Sequence, residues 1–194
     1  FPYARQHFSS FLKEHWADPE VRAAAVGLND AGPQTPEEAA LAAHALMDQD
    51  RKVGALKLLQ GRIWEAGYGS GRLKSQLFPE VADRLRAYRA AGSRVFIYSS
   101  GSVLAQKLLF AHTLEGDLTG LIDGYFDTAV GAKGEADSYR RIAEQIGATG
   151  LFATDILSEA QAARAAGWQA FILDRPGNHP QPAHDFEVRS ELPL

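Results

Sequence analysis

The stretch Arg94-Val-Phe-Ile-Tyr98-Ser-Ser-Gly-Ser102-Val-Leu-Ala-Gln-Lys-Leu-Leu-Phe110 opens with a short apolar run rich in β-branched and aromatic side chains. It then passes through a hydroxyl-and-glycine turn and continues with apolar residues at helical spacing. Together these read as strand, turn and helix, half of a βαβ unit. The turn brings hydroxyls and backbone N–H groups to a helix N-terminus, where unpaired donors and the helix dipole favour an anion such as phosphate. Ser102 capping the helix accounts for the same residues without any ligand, so the neighbouring strands decide between the two.

Toward the C-terminus the same grammar repeats. Tyr125-Phe-Asp-Thr-Ala-Val130 predicts a short strand, 138–146 a helix ended by Gly147, 151–154 a strand, 158–166 a helix ended by Gly167, and 169–173 the last strand. Upstream, 80–91 reads as an amphipathic helix ended by Gly92. Strands alternating with helices at this spacing predict a Rossmann-like, doubly wound parallel α/β sheet. The Pro-containing segment 176–182 reads as irregular surface.

Before Phe78-Pro79 no strand-like alternation occurs and the pattern is helical. Ala4, Phe8, Phe11 and Leu12 share one face, Asp18-Pro19-Glu20 is a helix start, and 29–36 is a turn-rich break. Thr35-Pro36-Glu37-Glu38 opens another helix, with Thr as cap and acids in the first turn. Helical spacing covers 39–48 and 53–66, where Leu56, Leu59, Ile63 and Trp64 form a core stripe. The expected organisation is a helical module over 1–78 and a Rossmann-like core over 79–194.

At 194 residues, with 45% hydrophobic and 23% charged side chains, the chain has the composition of a globular protein able to bury a sizeable core. Twenty basic against twenty-four acidic residues give a formal charge of -4, and no Lys/Arg block points to nucleic acid or an anionic membrane. The expected partner is small. The absence of cysteine excludes disulfides, thiolate catalysis and a cysteine zinc site, and fits a reducing cytoplasm. No apolar run reaches membrane-spanning length. The apolar faces are accounted for by internal packing, so a monomer is expected.

Ligands of open α/β sheets sit at the carboxyl ends of the strands. There lie Ser99 and Ser100 after Tyr98, Lys133 after Val130, Asp155 after Thr154, and Asp174 and Arg175 after Leu173. Hydroxyls and amides to hold phosphate oxygens, a lysine to offset charge and a carboxylate to ligate Mg²⁺ are what metal-assisted phosphoryl chemistry requires. Singly, Lys133 reads as a solvated loop lysine and Asp155 as a helix cap; their joint placement favours the site. Gly67-Tyr-Gly-Ser-Gly-Arg72 resembles a dinucleotide loop, but it follows a helix rather than a strand and lacks the required spacing, which argues against that role. The six histidines fall at no paired metal-ligand spacing on one helix, and Trp16, Trp64 and Trp168 read as packing residues.

Ser99-Ser100-Gly101 after a hydrophobic strand, Lys133 downstream, and Thr154-Asp155 after a further strand resemble the second, third and fourth motifs of the haloacid dehalogenase superfamily. Longer strings are similar to the enolase-phosphatase (acireductone synthase) family: Gly67-Tyr68 with Ser70-Gly71 and Leu73, Tyr98-Ser-Ser-Gly-Ser102 with Ala105-Gln-Lys-Leu-Leu-Phe110, Gly116-Asp117-Leu118, Asp123-Gly-Tyr-Phe-Asp-Thr128, and Arg175-Pro-Gly-Asn178. The resemblance implies a Mg²⁺-dependent, bifunctional reaction in methionine salvage, in which 2,3-diketo-5-methylthiopentyl-1-phosphate is enolised and then dephosphorylated to the acireductone. It implies phosphate binding by Ser99, Ser100 and Gly101, stabilisation of phosphate and nucleophile by Lys133, and a Mg²⁺ ligand in Asp155. It also implies a cap formed by residues 1–78, with Tyr68 and Arg72 nearest the substrate.

One family motif has no counterpart. The family's nucleophilic aspartate lies on a first strand ending in an Asp-x-Glu-Gly-Thr pattern, and no such string occurs here; Asp123 and Asp127 belong to another matched segment. In the family that strand is central in the sheet, and this sequence opens where the family's chain continues after it. Roughly two dozen further residues upstream, a strand and a loop, are therefore expected in the natural protein, and without them no turnover is expected. Two other readings stand beside this one: a catalytically silent fragment or pseudoenzyme that only binds phosphate, and a different small-molecule phosphatase of the same superfamily.

Overall fold

The computed structural model describes residues 2–51 and 53–193, which form two compact units, Phe1–Lys74 and Ser75–Leu194. In the first unit the described elements are the helices α1 (Pro2–His15), α2 (Pro19–Val26), α3 (Pro36–Asp48) and α4 (Gly54–Gly69). α1 buries Ala4, Phe8, Phe11 and Leu12, the face that its apolar spacing marks. Leu56, Leu59 and Ile63 of α4 are buried against the same core, with Trp64 packed at its margin.

Local chemistry starts these helices where the sequence says it should. The Asp18 carboxylate accepts from Glu20 N at 2.9 Å and Val21 N at 3.4 Å ahead of Pro19, and those N–H bonds hold its carboxyl below the usual carboxylate range. Thr35 Oγ1 accepts from Glu38 N at 3.2 Å. Gly67 marks a close approach of α4 to α1: a Cβ there would sit 2.5 Å from the Tyr3 ring and would push that ring aside.

The second unit alternates helix and strand: α5 (Val81–Ala90), β1 (Phe96–Tyr98), α6 (Val103–Ala111), β2 (Gly124–Phe126), α7 (Ala136–Ile146), β3 (Leu151–Thr154), α8 (Leu157–Ala165), β4 (Gln169–Leu173) and β5 (Val188–Arg189). All the pairings between these strands are parallel. Phe96 faces Gly124 and Tyr98 faces Phe126 in one sheet; Leu151 faces Gln169, Thr154 faces Ile172, and Ile172 faces Val188 in the other. This is a Rossmann-like parallel α/β arrangement in two sheets, β1-β2 and β3-β4-β5.

The structure differs from the sequence reading in two places. The strand over 125–130 ends at Phe126, because the Asp127 carboxylate turns back to accept from Ala129 N at 2.9 Å and from Val103 N at 3.3 Å. β4 is followed by the two-residue β5, too short to leave a period in the sequence. The sheet is in two parts, as expected where the family's central first strand has no counterpart: among the described residues no strand pairs with the edge of β1 away from β2, or with the edge of β3 away from β4. A cleft of about 340 Å³ lined by Phe96 and Tyr98 of β1, Leu151 and Phe152 of β3, Tyr139 and Trp168 separates the two edges. The Tyr139 ring of α7 bridges the halves, edge-on to Tyr98 at 5.6 Å and to Phe152 at 5.1 Å between centroids.

Behind the carboxyl end of β4, the Arg175 guanidinium pairs with Glu80, both nearly buried, and lies 4.1 Å over the Phe78 ring while its Nε donates to Ser190 O at 3.0 Å. That contact fastens the start of α5, the loop after β4 and the C-terminal segment to one another.

Candidate active site

At the end of β1 the chain makes the turn 99–102 and enters α6. Ser99 N donates to Phe126 O at 3.1 Å, which extends the β1–β2 ladder by one residue, and Ser99 Oγ accepts from Gly101 N at 3.2 Å. Ser102 does cap α6, accepting from Ala105 N at 3.2 Å. The cap and the anion site are compatible, because a cap satisfies only part of the donors that a helix N-terminus exposes. Ser99 is half-buried and Ser100 exposed at the strand mouth.

After β2 the loop that carries Lys133 is held by a rail of side-chain donors, one for each of four successive carbonyls. Arg141 Nη1 donates to Val130 O at 2.9 Å, Tyr98 OH to Gly131 O at 2.9 Å, Ser138 Oγ to Ala132 O at 2.8 Å, and Tyr139 OH to Lys133 O at 2.7 Å. Burial pushes both phenols above the ordinary tyrosine range, so they remain donors throughout the neutral range. Gly131 has φ +136, a conformation only glycine adopts easily.

This rail delivers Lys133 to the space between the two sheets. Its Nζ lies 5.9 Å from the Tyr98 ring centre and 6.0 Å from that of Phe152, and pairs with Glu159 Oε2 at 2.6 Å. The pair is 23% and 13% exposed, so Lys133 is not the solvated loop lysine of the plainer reading. The same Glu159 oxygen accepts from the buried Thr154 hydroxyl at 2.6 Å, and Thr154 Oγ1 accepts from Ile156 N at 3.1 Å. Asp155 is exposed at the carboxyl end of β3 and does not cap α8, whose capping position is Ile156.

The structure thus gathers Lys133 with Thr154 at the end of β3 and with Tyr98 at the end of β1, next to Asp155 and Ser99 respectively. Tyr68 and Arg72 belong to the helical unit, Tyr68 in the last turn of α4 and Arg72, exposed, in the bend that follows. The sequence reading missed Glu159 as the partner of Lys133, and Thr154 as the donor that holds Glu159; the available signal was an acid one helical turn beyond Asp155. Among the described residues no group of three or more His, Cys, Asp or Glu side chains is arranged to hold a metal ion, and no helix is long and apolar enough to cross a membrane.

A sequence model described as haloacid dehalogenase-like hydrolase matches residues 12–167. The chain is 48% identical over 181 residues to the enolase-phosphatase E1 of Pectobacterium carotovorum, covering 90% of this chain and 79% of that protein. It is 47% identical to the enolase-phosphatase E1 of Serratia proteamaculans, covering 93% and 84%. The crystal structure of the UTR4 protein of Saccharomyces cerevisiae superposes with a TM-score of 0.85 at 33% identity, over 99% of this chain and 88% of that one. With hydroxyl turn, lysine and aspartate at the mouths of β1, β2 and β3, and with these relatives, the chain belongs to the enolase-phosphatase family of enzymes within the haloacid dehalogenase-like hydrolases.

Proposed function

We propose that the protein serves methionine salvage as a Mg²⁺-dependent enolase-phosphatase, converting 2,3-diketo-5-methylthiopentyl-1-phosphate to the acireductone as a cytoplasmic monomer. The observation that carries this reading is the Lys133 ammonium, held by Glu159 at the mouth between β1 and β3, in a chain whose relatives are named enolase-phosphatase. Ser99 and Ser100 hold the phosphate oxygens through their hydroxyls and Gly101 through its N–H, which then turns from Ser99 Oγ to the anion, and Lys133 offsets their charge. Glu159 fixes the direction of that ammonium. Asp155 offers an exposed carboxylate oxygen, the donor type that Mg²⁺ takes from proteins, commonly one or two at a time beside waters and substrate phosphate. When bound, Mg²⁺ supplies Lewis-acid stabilisation of charge on the phosphoryl oxygens. The helical unit acts as the cap that excludes water, and Tyr68 and Arg72 contact the substrate.

The nucleophile belongs to a strand of the Asp-x-Glu-Gly-Thr type paired between β1 and β3. The two unpaired edges and the aromatic cleft between them support this. On this reading the present chain binds phosphate without turning over. Phosphate release and acireductone formation are to be measured on this chain and on one extended at its N-terminus by such a strand. Magnesium-dependent formation of both products by the extended chain alone is the expected result. Turnover by the present chain refutes the assignment of the nucleophile. Phosphate release without acireductone identifies a plain phosphatase, and inactivity of both chains identifies a silent binding module.

A further inference from the structure

We propose that Gln106 is a positioning residue that sets the turn 99–102 in its phosphate-binding shape and aims the Ser102 N–H at the anion. The inference rests on the phosphatase reading above and names a residue that acts through the backbone. On α6 the buried residue is polar: Gln106 is 5% exposed, whereas Leu104 and Leu109 of the same helix are 45% and 36% exposed. An apolar side chain at 106 would bury surface at no polar cost, so the carboxamide has to be explained by what it bonds.

Both of its N–H groups are used, and both reach main-chain carbonyls. Gln106 Nε2 donates to Gly101 O at 2.9 Å, in the turn after β1, and to Phe126 O at 2.9 Å, at the end of β2. Phe126 O also receives Ser99 N at 3.1 Å, so one carbonyl gathers the first residue of the turn and the side chain beneath its third. Gln106 Oε1 is buried without a partner. The reverse orientation of the amide would set that oxygen against two carbonyls, which fixes the assignment. A buried, half-satisfied amide is retained at a cost, and its bonds go to the turn that faces the strand mouth.

The geometry of the peptide unit supplies the consequence. In a trans peptide the C=O and the following N–H point in opposite directions. Drawing Gly101 C=O inward to the buried carboxamide therefore turns Ser102 N–H outward, at the head of α6, where the helix dipole already favours negative charge.

Inorganic phosphate is the probe, titrated into the ¹⁵N-labelled chain and followed at the Ser102 amide. Gln106→Met keeps the volume and removes both donors. Ser102→Pro deletes the N–H and fits the backbone, since Ser102 has φ -60 and ψ 153, but it also removes the side-chain cap of α6. Ser102→Ala, which loses the cap and keeps the N–H, is its control and should bind phosphate as the parent does. Gln106→Met and Ser102→Pro are each expected to weaken phosphate binding about tenfold, the scale of one charge-assisted hydrogen bond, at a temperature where both are folded. The Ser102 signal of Gln106→Met is expected to stop responding to phosphate. A purely structural Gln106 would lower the melting temperature and leave the affinity and the Ser102 response unchanged. Binding within twofold of the parent chain in Gln106→Met or Ser102→Pro overturns the proposal while leaving the phosphatase reading intact; a parent chain that does not bind phosphate at all overturns both.

Discussion

Replacing Gly131 by alanine tests whether the carbonyl rail under Lys133 is as tightly specified as its geometry implies. A Cβ at 131 would stand 2.1 Å from Ser138 Oγ and 3.1 Å from both Ser138 Cβ and Arg141 Nη1. Ser138 is fully buried, so its hydroxyl can yield only by rotating away from Ala132 O, its acceptor at 2.8 Å. That leaves the buried Ser138 hydroxyl unpaired, at about 1–3 kcal/mol. The φ of +136 adds backbone strain of about 1–3 kcal/mol for any residue with a Cβ. The sum, about 2–6 kcal/mol, is a large share of the 5–15 kcal/mol or so that holds a typical domain folded. Urea unfolding of Gly131→Ala, Ser138→Ala and the double variant separates the parts. The double variant has no hydroxyl to collide with, so it should be more stable than the sum of the singles predicts by about 1–2 kcal/mol, while the φ strain and the Cβ contact persist. A Gly131→Ala loss below about 1 kcal/mol, or strict additivity, would refute the reasoning.

Glu80→Ala should destabilise the α/β unit by about 3 kcal/mol, because it strands the nearly buried Arg175 guanidinium; calorimetry on the variant and on the Glu80→Ala/Arg175→Met pair checks this, the pair being expected to recover part of the loss. Asp123 accepts from Val95 N at 2.8 Å and pairs with Arg89 at 2.9 Å, and these hold its carboxyl below the ordinary value. A depressed carboxyl contributes stability that is present above the unfolded-state value near 4 and fades as pH falls through the folded-state value. The stability gap between the parent chain and Asp123→Ala should therefore be full at pH 7 and close in acid, and a gap that widens below pH 4 would contradict it.

Periodicity made much of this molecule legible. The buried face of α1, the capped starts at Asp18 and Thr35 and the alternation from β1 to β4 follow from spacings and local hydrogen bonds that the sequence carries within a few residues. The mouth positions of Ser99, Lys133 and Asp155 followed from strand order alone. What stayed hidden depends on contacts between distant residues. Glu159 looks like any acid in a first helical turn until Lys133 folds onto it. The rail joins residues 98, 138, 139 and 141 to carbonyls 130–133, and main-chain acceptors leave no trace in a sequence. Asp127 carried no mark of its role in ending β2, since its carboxylate answers an amide on α6.

If, as proposed, a strand lies between β1 and β3, those two edges set a race during folding. An exposed edge pairs with any extended chain that reaches it, and here the aromatic floor of Tyr98, Tyr139, Phe152 and Trp168 makes the slot adhesive as well as unsatisfied. A strand that fills the slot from the same molecule arrives at a rate independent of concentration, whereas a segment of a neighbouring copy arrives in proportion to it. On that proposal, dilution and speed of synthesis, more than final stability, would govern the balance between single molecules and strand-exchanged copies.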